Sequence, residues 1–297
     1  ASLIFPGAAL DGPSLHKLME DERVFSAWGV PTVWMGLLSE IKAKGGKPSS
    51  FKEVIIGGSA APRPMIEAFE NMDVSVAHAW GMTEMSPIGT VGVLNLEQEN
   101  LPLSERIDLK AKQGRRVFGV DLKIVDEDGN RMPHDGVAQG ELYVRGNAVV
   151  SAYFKNEEAS KTSIDADGWF GTGDVAKIEP NGMLTITDRA KDLIKSGGEW
   201  ISSIDVENMA MAHESVANCA VIAIPDPKWD ERPLLIVVPA QGAERDAISI
   251  LESLSKSLAK WQLPDAVIFV DELPLTATGK VSKLTLRQRH NDGTLSA

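Results

Sequence analysis

The chain has 297 residues, 43% hydrophobic and 24% charged, which excludes a disordered or fibrous protein. At about 150 residues per domain, this length holds two domains. Forty-two acidic residues against 30 basic ones leave a net charge of −12, without the lysine and arginine field that non-specific nucleic-acid or anionic-membrane binding needs. One cysteine, Cys219, cannot pair internally, and its apolar run from Ala217 to Ile224 reads as core. No stretch reaches the roughly 18 to 20 apolar residues of a membrane span, and no charged-then-apolar signal pattern opens the sequence. A cytoplasmic setting is therefore expected.

In chain order, helices are expected at Leu15–Met19 and Thr32–Lys44, the latter with Val33, Leu37, Leu38 and Ile41 on one face. A short strand follows at Phe51–Ile56, then a helix at Met65–Phe69 entered through Pro62 and Pro64, then a strand at Val74–Trp80. This alternation implies an α/β region with a parallel sheet, whose strand ends are where ligands bind. From about residue 101 the pattern changes to short strands and tight turns: Asp121–Val125 before Asp-Glu-Asp-Gly, then Gly140–Arg145 and Gly182–Thr187. The last hundred residues read as α+β. They comprise a helix near Ile204–Ala212, strands at Cys219–Ile224, Pro233–Val238 and Val267–Val270, an amphipathic helix at Ala247–Trp261 and a final helix at Ser282–Arg289. The expected organisation is an α/β region over 1–100, a β-rich subdomain over 101–190 and a small α+β domain over 191–297.

Five segments carry chemistry. Trp80-Gly81-Met82-Thr83-Glu84 follows a strand directly: Gly81 permits close backbone approach, Thr83 can donate to a phosphate oxygen and Glu84 is a hard oxygen ligand suited to Mg²⁺. Gly57-Gly58-Ser59-Ala60-Ala61 nearly matches a G-x-S-x-G nucleophile elbow, or else is a small-residue loop against which a flat ring lies. Asp167–Asp174 contains a glycine pattern that fails as a dinucleotide fingerprint, because no helix pattern follows it. It reads either as a β-turn or as an acidic residue, Asp174, held between glycines for a ribose diol. Asp188-Arg189-Ala190-Lys191-Asp192 is a charge run, solvated in the ordinary case, leading to the Gly197-Gly198 pair. Pro274–Lys280 ends in Gly-Lys but lacks the earlier glycine and the following Ser/Thr of a P-loop, so Lys280 is a single mobile cation before a helix. No His, Cys or carboxylate spacing suggests a metal cluster.

The order of these segments, together with Gly140–Gly146, Ala152-Tyr153 and Asp188–Glu199, resembles the adenylate-forming superfamily of acyl-CoA synthetases, peptide-synthetase adenylation domains and firefly luciferase. Gly197–Ser203 and Lys228–Pro233 are similar to its medium- and long-chain fatty-acyl-CoA ligases, a branch that also holds ligases of 3-methylthiopropanoate. The resemblance implies that fold, lacking its upstream half, and an AMP-forming acyl-CoA ligase reaction. A carboxylic acid, fatty or of 3-methylthiopropanoate type, attacks ATP to give acyl-adenylate and pyrophosphate, and coenzyme A then takes the acyl group. It implies Lys280 as the cation of the first step, Glu84 as the Mg²⁺-associated carboxylate and Thr83 at the α-phosphate. Trp80, Gly58, Ser59 and Ala60 would frame adenine, and Asp174 and Arg189 would hold ribose hydroxyls. Lys191 would be the pivot about which the C-terminal domain rotates between steps. Gly197 and Gly198 would line the pantetheine channel. Val30, Gly81, Met82, Pro87, Ile88 and Gly89 would border the acyl pocket.

One family feature is missing: the Ser/Thr/Gly-rich loop that holds the β- and γ-phosphates has no counterpart in this sequence. With the abrupt apolar start, this leads to the expectation of a downstream part whose partner is the upstream part of the same enzyme. A homodimer is left open. Other readings are an α/β-hydrolase with Ser59 as nucleophile, an adenylating enzyme that loads a carrier-protein thiol, and a non-catalytic AMP-binding chain.

Overall fold

A computed structural model describes residues 2–276 and 279–295. The chain divides into two compact units, Ala1–Thr172 with Ala176–Ile186, and Gly173–Val175 with Thr187–Ala297.

The first unit opens with α1 (Gly12–Asp21), β1 (Ser26–Gly29), α2 (Pro31–Lys44), β2 (Glu53–Ile56), α3 (Arg63–Glu70) and β3 (Ser75–Gly81). Asp11 caps α1 by accepting from Ser14 N, and prolines occupy the first turns of α1, α2 and α3, where no intrahelical N–H is needed. β2 and β3 pair in parallel, as the alternation predicts, and β1, at a place where no strand is expected, adds parallel to β2. The sheet is nevertheless mixed. β4 (Ile88–Gly92) runs antiparallel to β3, because the six-residue connection 82–87 is too short for a parallel crossover. After α4 (Leu96–Glu99) and α5 (Leu103–Lys110), the two-residue β5 (Arg115–Arg116) completes the order β1-β2-β3-β4-β5. Leu37, Phe51, Ile56, Ile66 and Phe69 fill the core, with Trp34 and Phe51 both edge-on to Phe69.

A second sheet follows in the order β6 (Val120–Val125), β7 (Gln139–Gly146), β8 (Phe170–Ile178) and β9 (Leu184–Arg189), with α6 (Glu157–Ser163) before β8. β6 and β7 pair antiparallel, their inward residues alternating as Leu122, Ile124, Leu142 and Val144. Met85, Trp80 and Met82 join this same apolar cluster. The turn reading of Asp167–Asp174 holds only at its start, where Gly168 N donates to the Asp165 carbonyl at 3.0 Å; β8 begins at Phe170, so Asp174 lies within a strand.

The second unit contains β10 (Ile194–Ser196), β11 (Glu199–Ile201), α7 (Ser203–Met211), β12 (Val216–Asp226), β13 (Asp230–Pro239), α8 (Ala247–Ser255), β14 (Ala266–Phe269) and α9 (Lys283–Asn291). The sheet order is β11-β10-β13-β12, with β14 parallel on β13. β12 and β13 read as continuous apolar runs because both sheet faces are covered. Cys219, Val221, Leu235 and Val237 face α7 and α8, whereas Ala220, Ile222, Leu234 and Ile236 face Leu273 and Leu286. The amphipathic helix stops at Ser255 rather than Trp261. Ser255 Oγ donates to the Glu252 carbonyl at 2.7 Å, one of the serine-to-backbone bonds that compete with helix continuation, although Leu258 still buries in the same core. Among the described residues, no helix is long and apolar enough to cross a membrane.

Candidate functional site

In the first unit, the Gly58-Ser59-Ala60 loop leaves β2 and enters α3, with Ser59 exposed. His78, fully buried on β3, anchors it. Ala61 N donates to His78 Nε2 at 3.3 Å, and His78 Nδ1 pairs with the Ala111 carbonyl at 3.0 Å. This pattern fixes a neutral imidazole, and burial pulls its pKa down to about 4. Both ring nitrogens serve backbone groups, so this histidine is not disposed as a base for Ser59, as a hydrolase would need.

β3 ends on Trp80 and Gly81, and Thr83–Met85 form one 3₁₀ turn with Thr83 exposed, Glu84 half-buried and Met85 buried. A Cβ on Gly81 would overlap the Pro87 carbonyl oxygen, so glycine is needed where the chain doubles back from β3 into β4. Tyr153 Oη donates to Glu84 Oε1 at 3.0 Å, and the Tyr153 hydroxyl is held above its ordinary pKa by burial and then by this bond. Glu84 Oε2 lies outside that bond. A single oriented carboxylate fits the way Mg²⁺ is commonly held, by one or two carboxylates plus substrate phosphates. Among the described residues, no three His, Cys, Asp or Glu side chains form a metal cluster. Trp80, Met82, Pro87, Ile88 and Gly89 lie together around this turn: a Cβ at Gly89 would stand 2.7 Å from the Trp80 ring. Val30 follows β1 and precedes α2, at the same carboxyl end of the parallel strands as the loop after β2. A surface pocket of about 450 Å³ lined by Arg116, Asp121 and Arg145 contains none of the residues singled out from the sequence.

In the second unit, three of the singled-out residues converge. Asp174, buried, pairs with Arg189 Nε at 2.9 Å. Lys280 lies within the field of both: burial and then Arg189 lower its pKa, and Asp174 opposes them. At the two ends of its motif, Thr276 N donates to the Lys280 carbonyl at 2.7 Å and Lys280 N donates to Thr276 Oγ1 at 3.2 Å. Ala277 and Thr278, at the middle of the motif, lie outside the described residues. Lys191 is exposed between buried Asp188 and Asp192, so the charge run is only partly solvated.

Gly197 and Gly198 turn the β10–β11 hairpin with φ of +62° and +88°. A Cβ on Gly197 would stand 2.8 Å from the Trp229 ring, so glycine leaves room for that indole as well as for the turn. The sequence reading missed the aromatic neighbours of this hairpin. Trp200 and Trp229 are 42% and 43% exposed, under Lys195 and Lys228 at 5.2 and 4.5 Å from their ring centres. It also missed the roles of His78 and of Tyr153 toward Glu84. Neither a lone buried histidine on a strand nor a half-buried tyrosine in a loop carries a local pattern, so contacts between distant segments are their only signal.

The comparisons fit this geometry. Residues 1–154 match the AMP-binding enzyme family, and residues 205–280 match the AMP-binding enzyme C-terminal domain. The chain is 50% identical over 293 residues to the 3-methylmercaptopropionyl-CoA ligase of Ruegeria lacuscaerulensis, an alignment covering 98% of this chain and 54% of that protein. It is 47% identical to the medium-chain-fatty-acid–CoA ligase of Ectopseudomonas oleovorans, covering 98% and 53%. Among solved structures, the anthranilate CoA ligase AuaEII in complex with anthranoyl-AMP superposes with a TM-score of 0.85 at 25% identity, covering 97% of this chain and 54% of that one. ATP-bound MatB from Rhodopseudomonas palustris gives 0.80 at 28%, covering 96% and 54%. The chain thus spans about half the length of these relatives. Over that half it has the fold of adenylate-forming enzymes, as its ordered motifs predict. By fold and by sequence, the chain belongs to the AMP-binding enzyme family.

Proposed function

We propose that this chain supplies the distal nucleotide-binding residues and the mobile C-terminal domain of an AMP-forming acyl-CoA ligase. Its partner is the upstream part of the same enzyme, which brings the phosphate loop, and its setting is the reducing cytoplasm. The substrates are ATP, coenzyme A and a carboxylic acid of fatty or 3-methylthiopropanoate type. The observation that carries this reading is the convergence of Asp174, Arg189 and Lys280. A buried carboxylate oriented by an arginine suits a ribose diol, and a lysine in its field suits the developing charge at the adjacent phosphate.

In the first half-reaction the substrate carboxylate attacks the α-phosphorus and pyrophosphate leaves. Lys280 stabilises the charge gathered on the phosphoryl oxygens, and Thr83 donates a hydrogen bond to one of them. Glu84, oriented by Tyr153, would hold Mg²⁺, which supplies Lewis-acid neutralisation of phosphate charge. The Gly58-Ser59-Ala60 loop and Trp80 border the base, and Val30, Gly81, Met82 and Pro87–Gly89 border the acyl chain. In the second half-reaction the coenzyme A thiol attacks the acyl carbon and AMP leaves. The domain after Lys191 has then turned, bringing Gly197, Gly198 and the Trp200 and Trp229 surface toward the thiol.

The deciding experiment offers the intact enzyme short, medium, long and thioether carboxylic acids, and measures AMP formation with and without coenzyme A. Coenzyme A-dependent AMP release with at least one acid is expected. Ester hydrolysis abolished by Ser59→Ala, with no AMP formed from any acid, would overturn the reading in favour of a hydrolase.

A further inference from the structure

Asp188 and Asp192 are both buried, and the three residues between them, Arg189, Ala190 and Lys191, are exposed. Each carboxylate has its own anchor. Asp188 Oδ2 accepts from Ser203 N and from Ser203 Oγ, both at 2.6 Å. One residue earlier, the Thr187 carbonyl accepts from Ser202 Oγ at 2.7 Å, and the same Ser202 oxygen caps α7 by accepting from Asp205 N. The N-terminus of α7 is therefore seated on the end of β9, with a carboxylate where the helix dipole favours one. Behind it, Lys283 of α9 donates to Ser203 Oγ at 2.5 Å and pairs with Glu207 at 2.7 Å. Asp192 pairs with Arg287, one turn further along α9, at 2.7 Å.

The two anchors differ in one respect that follows from chain order. Asp192 and Arg287 both come after Lys191. Thr187 and Asp188 come before it, while their partners Ser202 and Ser203 come after. A rotation of the domain about Lys191 leaves the Asp192–Arg287 pair intact. It must break the three bonds that join Thr187 and Asp188 to the start of α7. Lys283 keeps Glu207 as its counter-charge when that happens, so opening does not strand the buried ammonium.

We propose that Asp188, with Ser202 and Ser203, is a positioning latch for the first half-reaction. It fastens the segment bearing Arg189 to α7, and through Ser203 and Lys283 to the helix that follows Lys280, so that Lys280 stays beside Asp174 and Arg189, which both precede Lys191 and pair at 2.9 Å. Release of the latch is the event that frees the domain to turn. The proposal rests on the reading of Lys191 as the pivot.

The test measures the two half-reactions separately in the intact enzyme, as acid-dependent pyrophosphate exchange and as thioester formation from preformed acyl-AMP. Asp188→Asn keeps the shape but weakens the acceptor. It is expected to slow adenylation at least tenfold while thioester formation stays within twofold. Ser203→Ala removes one of the three bonds and should shift the balance the same way by a smaller factor, which keeps the test open if Asp188→Asn does not fold. Parallel loss of both half-reactions in Ser203→Ala, or undiminished adenylation in a folded Asp188→Asn, overturns the latch. Lys191→Pro tests the pivot itself. If it spares both half-reactions the pivot reading fails. If it impairs thioester formation selectively while the Asp188 and Ser203 variants show no split, only the latch fails.

Discussion

His78 offers the sharpest pH test of the loop that follows β2. Its ring is fully buried and held neutral by one bond from Ala61 N and one to the Ala111 carbonyl. Its pKa falls from an ordinary 6.5 to about 4. Between those two values the unfolded chain carries a proton on this residue that the native chain does not. Stability therefore rises with pH through that window and is at full value above pH 6.5. The difference of about 2.5 units, at 1.36 kcal/mol per unit, makes this contribution about 3 kcal/mol between pH 7 and pH 4. Glutamine at this position provides a donor and an acceptor without a titrating proton. His78→Gln should lose about 1 to 2 kcal/mol at pH 7 from imperfect hydrogen bonds and packing. As pH falls that deficit should shrink and then change sign. Urea unfolding of both proteins at half-unit steps from pH 4.5 to 7.5 gives the comparison, because carboxylates titrating in the same window contribute equally to each. A difference between the two proteins that stays constant with pH would refute the neutral-histidine argument.

Other outcomes follow from single contacts. Gly81→Ala drives a methyl group into the Pro87 carbonyl and should displace the Thr83–Glu84 turn, read as a lowered melting temperature and weakened AMP binding in a calorimetric titration. Arg232 is buried and spreads its guanidinium over Asp265, Ser196 Oγ and the carbonyls of Trp261 and Leu263. Lysine keeps the charge but cannot fill that fork, so Arg232→Lys should cost about 3 kcal/mol in chemical unfolding. Lys280→Ala should cut adenylation far more than thioester formation from preformed acyl-AMP, and single-turnover assays giving equal losses would remove the lysine from its proposed role. Leu254→Ala opens the core between α8 and the sheet and should cost about 3 kcal/mol, with no preference between half-reactions.

What was legible in the sequence tracked how local its physical cause is. The parallel strands β2 and β3 and helices α2, α3, α7 and α9 follow from periodicity and capping within each segment, whereas the four-residue β1 is too short to show a period of its own. β4 and β8 were missed because their partners lie elsewhere in the chain. Ile88–Gly92 is short and glycine-containing and becomes a strand only by pairing back on β3. The first residues of β8, up to Asp174, read as part of a turn because Gly171 and Gly173 obscure the alternation of buried residues around them. The helix at 247–261 was drawn too long because Leu258 keeps the apolar spacing after the backbone has left the helix.

The candidate site shows the same division, and it has a chemical basis. Residues that meet a nucleotide must sit at strand ends and turns, so they fall in short glycine-bearing segments that a sequence displays openly: Gly58–Ala60, Trp80–Glu84, Gly197-Gly198 and Lys280. The residues that hold those turns in place are polar, buried or half-buried, and spread over the chain. His78 supports the first, Tyr153 the second, and Asp188, Ser203 and Lys283 the segment before the hairpin. A turn exposed enough to take a ligand has few apolar contacts of its own, so its geometry must come from hydrogen bonds to distant elements. Charge follows the same logic. A net charge of −12 argues against a broad anionic partner, yet Arg189 and Lys280 stand together beside one buried carboxylate. Asp174 offsets part of their mutual repulsion, which lets two cations share a small site on an acidic protein. Replacing Asp174 by asparagine should therefore weaken nucleotide binding twice over, by losing the acceptor and by leaving the two cations to repel each other. A Lys280→Ala background relieves only the second effect. In a double-mutant cycle the Asp174→Asn loss of AMP affinity should shrink in that background without vanishing, whereas strict additivity would mean that the two cations do not share one site.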